Sequence, residues 1–369
     1  MNKKHLLFAI LIGVFFAASP AEAYKCSPEG SFIEKKLASR SQNTWEKILS
    51  NFAMKGIHKF GEPVHEEITN RILGCEGDSN VCGEPDYAPE NAYFLAGVRW
   101  NDDPPFRFEK GHGNFGGCEP GATIRLVTFP RCWANVFKDG EARAKDGARF
   151  DTQSSAPLLL RSHFGDMQFL HSMASIGLEP AAVTREKIIM WAEFTWRVAL
   201  GEFPLSMLVK DVPIKGFSDL FRKNGWSILD LFSLGNPHVR KPHNMSELAF
   251  GSLLHMVEDS FATGHTERAV PDPKEMCATT IKEHLAPGKI VEFHFYGKQD
   301  KQRHGEDDTR SAFSTHWTST KPNVIDVGRS LYEYYEKGEK WENVKSYLEC
   351  IFALDKEARP ASAGADYSR

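Results

Sequence analysis

Along most of this chain apolar residues recur at spacings of three and four, the period of helices that bury one face. Residues 64–73 and 90–98 each read as one helix. Over residues 185–200 the apolar set Ile188, Ile189, Trp191, Ala192, Phe194, Trp196 and Val198 covers nearly the whole circumference, which predicts a largely buried helix. Residues 246–263 form a further apolar helix, with Ser246 as its N-cap and Gly264 as its stop. Residues 324–337 and 341–355 read as closing helices, followed by a polar tail, 360–369, that is expected to fray. Strand signals are confined to residues 123–129 and 289–295. The expected fold is mainly α, a single helical domain over residues 24–369.

One stretch resists this pattern. Residues 199–241 interleave Phe203, Leu205, Met207, Phe217, Phe221, Trp226, Leu231 and Phe232 with Lys210, Lys215, Arg222 and Lys223. Two readings fit: core-packing helices joined by glycine turns, or an inserted lid that dips aromatics into a lipid interface with lysines at the headgroups.

The start of the chain has a different character. Lys3, Lys4 and His5 precede an apolar run over residues 6–18, too short to span a bilayer, and Ala21-Glu22-Ala23 supplies small residues for cleavage. Residues 1–23 therefore read as a signal peptide and the mature protein as secreted or periplasmic. Removing Lys3, Lys4 and Glu22 moves the formal charge from −4 to −5. That gives no global attraction to nucleic acid, and no obligate protein partner is evident. An exported chain with 7 cysteines is expected to form disulfides. Cys75 with Cys82, Cys118 with Cys132, and Cys277 with Cys350 are the expected pairs, and Cys26 is the expected odd one.

The chemistry begins on the helix that carries His255 and Asp259. Residues four apart share a helical face, so imidazole and carboxylate there can grip one metal ion. The helix is otherwise apolar, and a carboxylate buried on it needs a partner or a metal to offset its desolvation. His265 follows, near enough to bind a neighbouring ion. His304 and Asp308 repeat the spacing of four and could complete the site that His265 begins. Upstream lie His65, the run Trp100-Asn101-Asp102, and Ser162-His163-Phe164-Gly165-Asp166.

Taken in this order, the motifs resemble the zinc-dependent phospholipase C family and its relatives, the single-strand-specific zinc nucleases. The run His255-x3-Asp259-x5-His265 has the family's central spacing; Ser162-His163-Phe164 looks like the phospholipase text and Trp100-Asn101-Asp102 more like the nuclease text. The resemblance spans about residues 58–310. It implies a helical fold holding two to three Zn2+ ions. One would be bound by Asp102, His163, His255 and Asp259, a second by His265, His304 and Asp308, and a third by His65 sharing Asp259. It further implies that Asp102 orients or deprotonates the nucleophile. Asp166 or Glu267 would brace the imidazoles. The chain departs from the family at its N-terminus, where a terminal amine close to the first histidine binds the third ion. Here a further cleavage creates a new terminus, or another group such as His58 or Glu62 substitutes, or only two ions bind tightly. The implied activity is phospholipase C acting on a phospholipid membrane surface, with no nucleic acid favoured. A single-strand nuclease and a metal-stabilised lytic or adhesion protein without turnover are the alternatives.

Overall fold

A computed structural model describes Cys26, Ile33 and residues 62–109, 115–222, 225–233, 241–279 and 281–368. The proposed signal peptide and His58 lie outside them. Helices dominate. In chain order they are α1 (Val64–Ile72), α2 (Ser79–Cys82), α3 (Ala92–Val98), α4 (Pro130–Lys145), α5 (Leu158–Phe164), α6 (Ala181–Ala199), α7 (Ile228–Ser233), α8 (Pro242–Asp259), α9 (Lys301–Asp307), α10 (Arg310–Ser319), α11 (Val324–Glu336) and α12 (Trp341–Ile351). The strands are short antiparallel pairs: β1 (Phe106–Arg107) with β2 (Thr123–Ile124), β3 (Thr266–Arg268) with β6 (Ile290–Phe293), and β4 (Met276–Cys277) with β5 (His284–Leu285).

Helix α8 is the axis of the molecule, packed against α3 on one side and α6 on another. It starts a turn earlier than expected, because Pro242 occupies its first turn, where a missing N–H does no harm. Ser246, expected as the cap, instead bonds back to the Pro242 carbonyl at 3.1 Å. The crossing with α3 is made by glycines. A Cβ on Gly97 would overlap the Leu248 carbonyl oxygen, and one on Gly251 would overlap that of Phe94. Bare backbone at the crossing lets the helices approach closely, and this sets the residues after α3 beside the C-terminal half of α8.

The main core wraps α8 with Trp100, Trp191, Phe194, Trp196, Phe250 and Leu253. Phe217, Phe221, Ile228, Leu231 and Phe232 belong to it too, so these apolar residues of segment 199–241 build core rather than an interfacial lid. A smaller cluster gathers Trp133, Phe137, Phe150, Leu159 and Leu160 around α4 and α5. The C-terminal tail does not fray as its polarity suggested. Tyr367 is buried against the rings of His294 and His304, and its hydroxyl bonds Thr263 at 3.0 Å.

Cys75–Cys82, Cys118–Cys132 and Cys277–Cys350 form disulfides, and Cys26 is a buried free thiol. The disulfides point to an oxidising compartment. No helix among the described residues is long and apolar enough to cross a membrane.

Candidate metal centre

The site forms where α1, the turn after α3, a short turn at 168–171 and the end of α8 meet. Asn101 is the knot. Its Nδ2 donates to the Leu170 carbonyl at 2.8 Å, and its Oδ1 accepts from Ser252 Oγ on α8 at 2.6 Å. Trp191 Nε1 donates to the same Ser252 hydroxyl, and Trp100 stacks on Trp191 with ring centroids 5.6 Å apart. The neighbouring Asp102 is thereby fixed against α8, wholly buried.

Asp259, on the last turn of α8, gathers imidazoles. His255 Nε2 lies 2.9 Å from its Oδ2 and His171 Nδ1 3.0 Å from the same oxygen; His65 Nε2 is 3.4 Å from Oδ1. His171 Nδ1 and His255 Nε2 are 3.0 Å apart. Donor atoms spaced by about 3.3 Å are what a tetrahedral ion with bonds of about 2.0 Å requires. The groups His65/Asp102/His255, Asp102/His163/His171 and His171/His255/Asp259 each have ligand atoms within 4.8 Å of one another, as does His265/His304/Asp308. All members of these groups are buried.

All of the expected ligands, His65, Asp102, His163, His255, Asp259, His265, His304 and Asp308, thus meet in one buried cluster. The grouping differs from the implied one in two respects: His65 groups with Asp102 and His255, and His171 enters the set. His171 stands beside His255 and Asp259, while His163 lies further out, its Nε2 3.9 Å from Asp102 Oδ1. Sequence reasoning missed His171 because it sits on a 3-10 turn, Gln168–His171, where no helical spacing marks it. Its one sequence signal is an imidazole in apolar text, beside Phe169 and Leu170. The next residue, Ser172, is held in the left-handed region at φ 51° by a 2.6 Å bond from its hydroxyl to the Met256 carbonyl. Backbone held there in a non-glycine residue marks a turn that its surroundings over-determine.

His265 follows a helix that ends at Asp259 rather than at the expected residue 263. It lies beyond the end of α8, at the entry to β3, because the chain leaves the helix in tight turns after Asp259. Gly264 makes room for its partner: a Cβ there would stand 2.7 Å from His304 Nδ1. The rings of His265 and His304 stack at 5.0 Å, and His304 Nε2 is 3.5 Å from Asp308 Oδ2.

The outward-facing nitrogens decide what the inward ones do. His265 Nδ1 donates to the His171 carbonyl at 2.6 Å, and His163 Nδ1 to the Leu159 carbonyl at 2.8 Å. His65 Nδ1 donates to Glu258 Oε2 at 2.5 Å. A carbonyl only accepts, so the proton sits on Nδ1 and the lone pair on Nε2. This is how metal-binding imidazoles are oriented. His255 Nδ1 and His265 Nε2, both buried, have no hydrogen-bond partner among the described residues. Burial pushes the His265 imidazole below its usual value despite nearby Asp259, which favours the neutral, ligating form. Burial alone would raise the Asp259 carboxyl, but His255 and His265, with bonds from His171 and His255, hold it well below the usual range. These residues fit a metal ion.

The acids expected to brace imidazoles have other partners. Asp166 forms a two-point pair with Arg161 at 2.8 Å, and Glu267 pairs with Arg359. Glu62 accepts the Arg310 backbone N–H at the start of α10. The brace the sequence did not reveal is Glu258, whose other oxygen accepts from Thr69 Oγ1 at 2.8 Å.

A cavity of about 490 Å³ borders the cluster. His163 and Tyr296 line it, and the Tyr296 ring lies 5.5 Å from that of His304. Phe150, Phe164 and Phe295 supply apolar wall, and Lys145 and Arg149 supply positive charge. No family model, no curated protein and no solved structure matches this chain.

Proposed function

We propose that the chain is a zinc-dependent phosphodiesterase acting on phospholipids of the phosphatidylcholine type, releasing diacylglycerol and a phosphorylated headgroup. One observation carries this reading: imidazoles with their outer nitrogens committed to carbonyls or a carboxylate, converging with Asp102, Asp259 and Asp308 beside an aromatic-walled cavity. His171, His255, Asp259 and Asp102 would hold one ion. His265, His304 and Asp308 would hold a second, and His65 with Asp259 would anchor a third.

When bound, zinc lowers the pKa of a coordinated water toward neutrality and neutralises charge on phosphoryl oxygens. The chain's own groups do the rest. Asp102 accepts the proton of the attacking water. Glu258 holds His65, and the His171 carbonyl holds His265, so the ligand set keeps its shape as charge shifts. The water oxygen bonds to phosphorus, the bond from phosphorus to the glycerol oxygen breaks, and that oxygen leaves with the proton that Asp102 took from the water. The cavity has the size of a site for one small organic group, and its aromatic faces suit a quaternary ammonium.

The test is a metal count on purified protein, paired with hydrolysis of phosphatidylcholine and of a single-stranded oligonucleotide before and after chelation. The expected result is zinc-dependent release of diacylglycerol with little cleavage of the oligonucleotide. Oligonucleotide cleavage alone would establish the nuclease instead. Bound metal with no product from either substrate would leave a metal-stabilised binding protein.

A further inference from the structure

We propose that the turn at residues 175–178, with Val183 beside it, docks the protein on a lipid surface and presses the cavity mouth against that surface. The proposal rests on the phospholipid reading above and locates how that substrate is reached.

The apolar segment that suggested interfacial binding from sequence is folded into the core, so the contact must lie elsewhere. Among the described residues, large exposed apolar side chains are few, and Ile176 (62 % exposed), Leu178 (76 %) and Val183 (38 %) fall close together in the chain. Leu178 is displayed by a constrained backbone: its φ is 63°, a region that a leucine rarely adopts. Its N–H donates to the Ala361 carbonyl at 2.7 Å, which pins the turn to the C-terminal segment. Strained backbone that holds an apolar side chain out in water is unfavourable in isolation, so it points to a partner.

Position and charge name that partner. Ile176 lines the same cavity as His163 and Tyr296, so whatever covers the turn also faces the metal cluster. Exposed Lys145 and Arg149 line this cavity, and exposed Lys298 stands over Gly177, where a Cβ would lie 3.8 Å from its Nζ. The acids of the mouth are engaged: Glu141 with Lys145, Asp166 with Arg161, Glu179 with Lys187, and Asp151 with the N–H groups of Gln153 and Ser154. Lys145 is itself paired with Glu141, so Arg149 and Lys298 are the cations that flank these apolar side chains. Apolar groups beside cations match the layering of a phospholipid surface, with acyl chains beneath phosphates.

The experiment is co-flotation of the zinc-loaded protein with vesicles of phosphatidylcholine and phosphatidylglycerol. It compares the wild type with Leu178→Asn/Val183→Ser, since asparagine tolerates the left-handed turn. The expected result is a roughly tenfold or greater loss of vesicle partition, with zinc content and hydrolysis of a soluble phosphodiester unchanged. Equal flotation of the two proteins would overturn the proposal. A concentration-dependent dimer of the wild type that the variant loses would also overturn it, by assigning the patch to a second copy of the chain. The two readings fail separately. A wild type that floats but hydrolyses nothing sinks the phosphodiesterase reading and leaves the docking surface. One that hydrolyses the soluble substrate but does not float sinks the docking surface alone.

Discussion

The thiol of Cys26 lies 3.2 Å from Asp102 Oδ2, on the opposite oxygen from the one that faces His163 and His171. Burial raises the thiol well above its usual value, and the nearby carboxylates of Glu66 and Asp102 raise it further. It therefore stays an S–H and donates to Asp102. The chain keeps this one cysteine out of its disulfides, and its partner is a carboxylate of the candidate metal centre.

That contact predicts an ordered series. Cys26→Ser keeps a donor and should leave most activity. Cys26→Ala leaves a buried carboxylate oxygen short of a donor, which costs about 1.5–3 kcal/mol and should lower turnover roughly ten- to hundredfold. Thiol titration adds a check independent of activity. The native protein should react slowly with a thiol reagent, and the denatured, unreduced protein should yield Cys26 alone. Fast labelling of the native protein would contradict the buried, donating thiol.

His171 and His163 should behave differently. His171 touches both His255 and Asp259 at 3.0 Å, so His171→Ala is expected to lower zinc content as well as rate. His163 reaches no closer than 3.9 Å to Asp102 and forms part of the cavity wall, so His163→Ala is expected to keep most of its metal and lose rate. Metal analysis of the two purified variants distinguishes them. Greater zinc loss in the His163 variant would return that histidine to the position the sequence first suggested.

The contrast shows where sequence reading succeeds. His255 and Asp259, like His304 and Asp308, are separated by four residues in or beside a helix, so a local period placed them on one face. His171 reaches the cluster from a 3-10 turn fixed by Asn101 and Ser172, contacts from distant parts of the chain that leave no local period. Segment 199–241 was ambiguous for a related reason. Phe217 and Phe232 have the composition of a membrane lid, and only tertiary packing buries them on Trp191, Phe194 and Trp100.

Glu258 was hidden beside Asp259 for want of a visible partner. It should act through His65, since its oxygens accept from His65 Nδ1 and Thr69 Oγ1. Glu258→Gln replaces a charged acceptor with a neutral one. A roughly ten- to hundredfold loss of affinity for the ion at His65 is expected, the range for removing such a brace. Competition with a chelator of known affinity measures it. Unchanged metal affinity would restrict Glu258 to a packing role.

At the other end of α8, Glu247 predicts how stability depends on pH. Burial raises its carboxyl from 4.5 to about 7; nearby His243 opposes the shift, and Glu336 adds to it. A folded-state value above the unfolded one means that the folded protein holds a proton the unfolded chain has released. Stability contributed by this group is therefore full below about pH 4.5 and falls as pH rises to 7, with the penalty complete above that. Glu247→Gln removes the penalty. Above pH 7 the variant should be more stable than the wild type by about 1–3 kcal/mol, the lower end allowing for solvent screening. Near pH 4.5 the advantage should vanish, because the buried carboxyl is then protonated in the folded protein and glutamine merely replaces one neutral group with another. Thermal melts of both proteins at pH 4.5 and 8.5 test this; the same difference at both pH values would show that Glu247 does not titrate with folding.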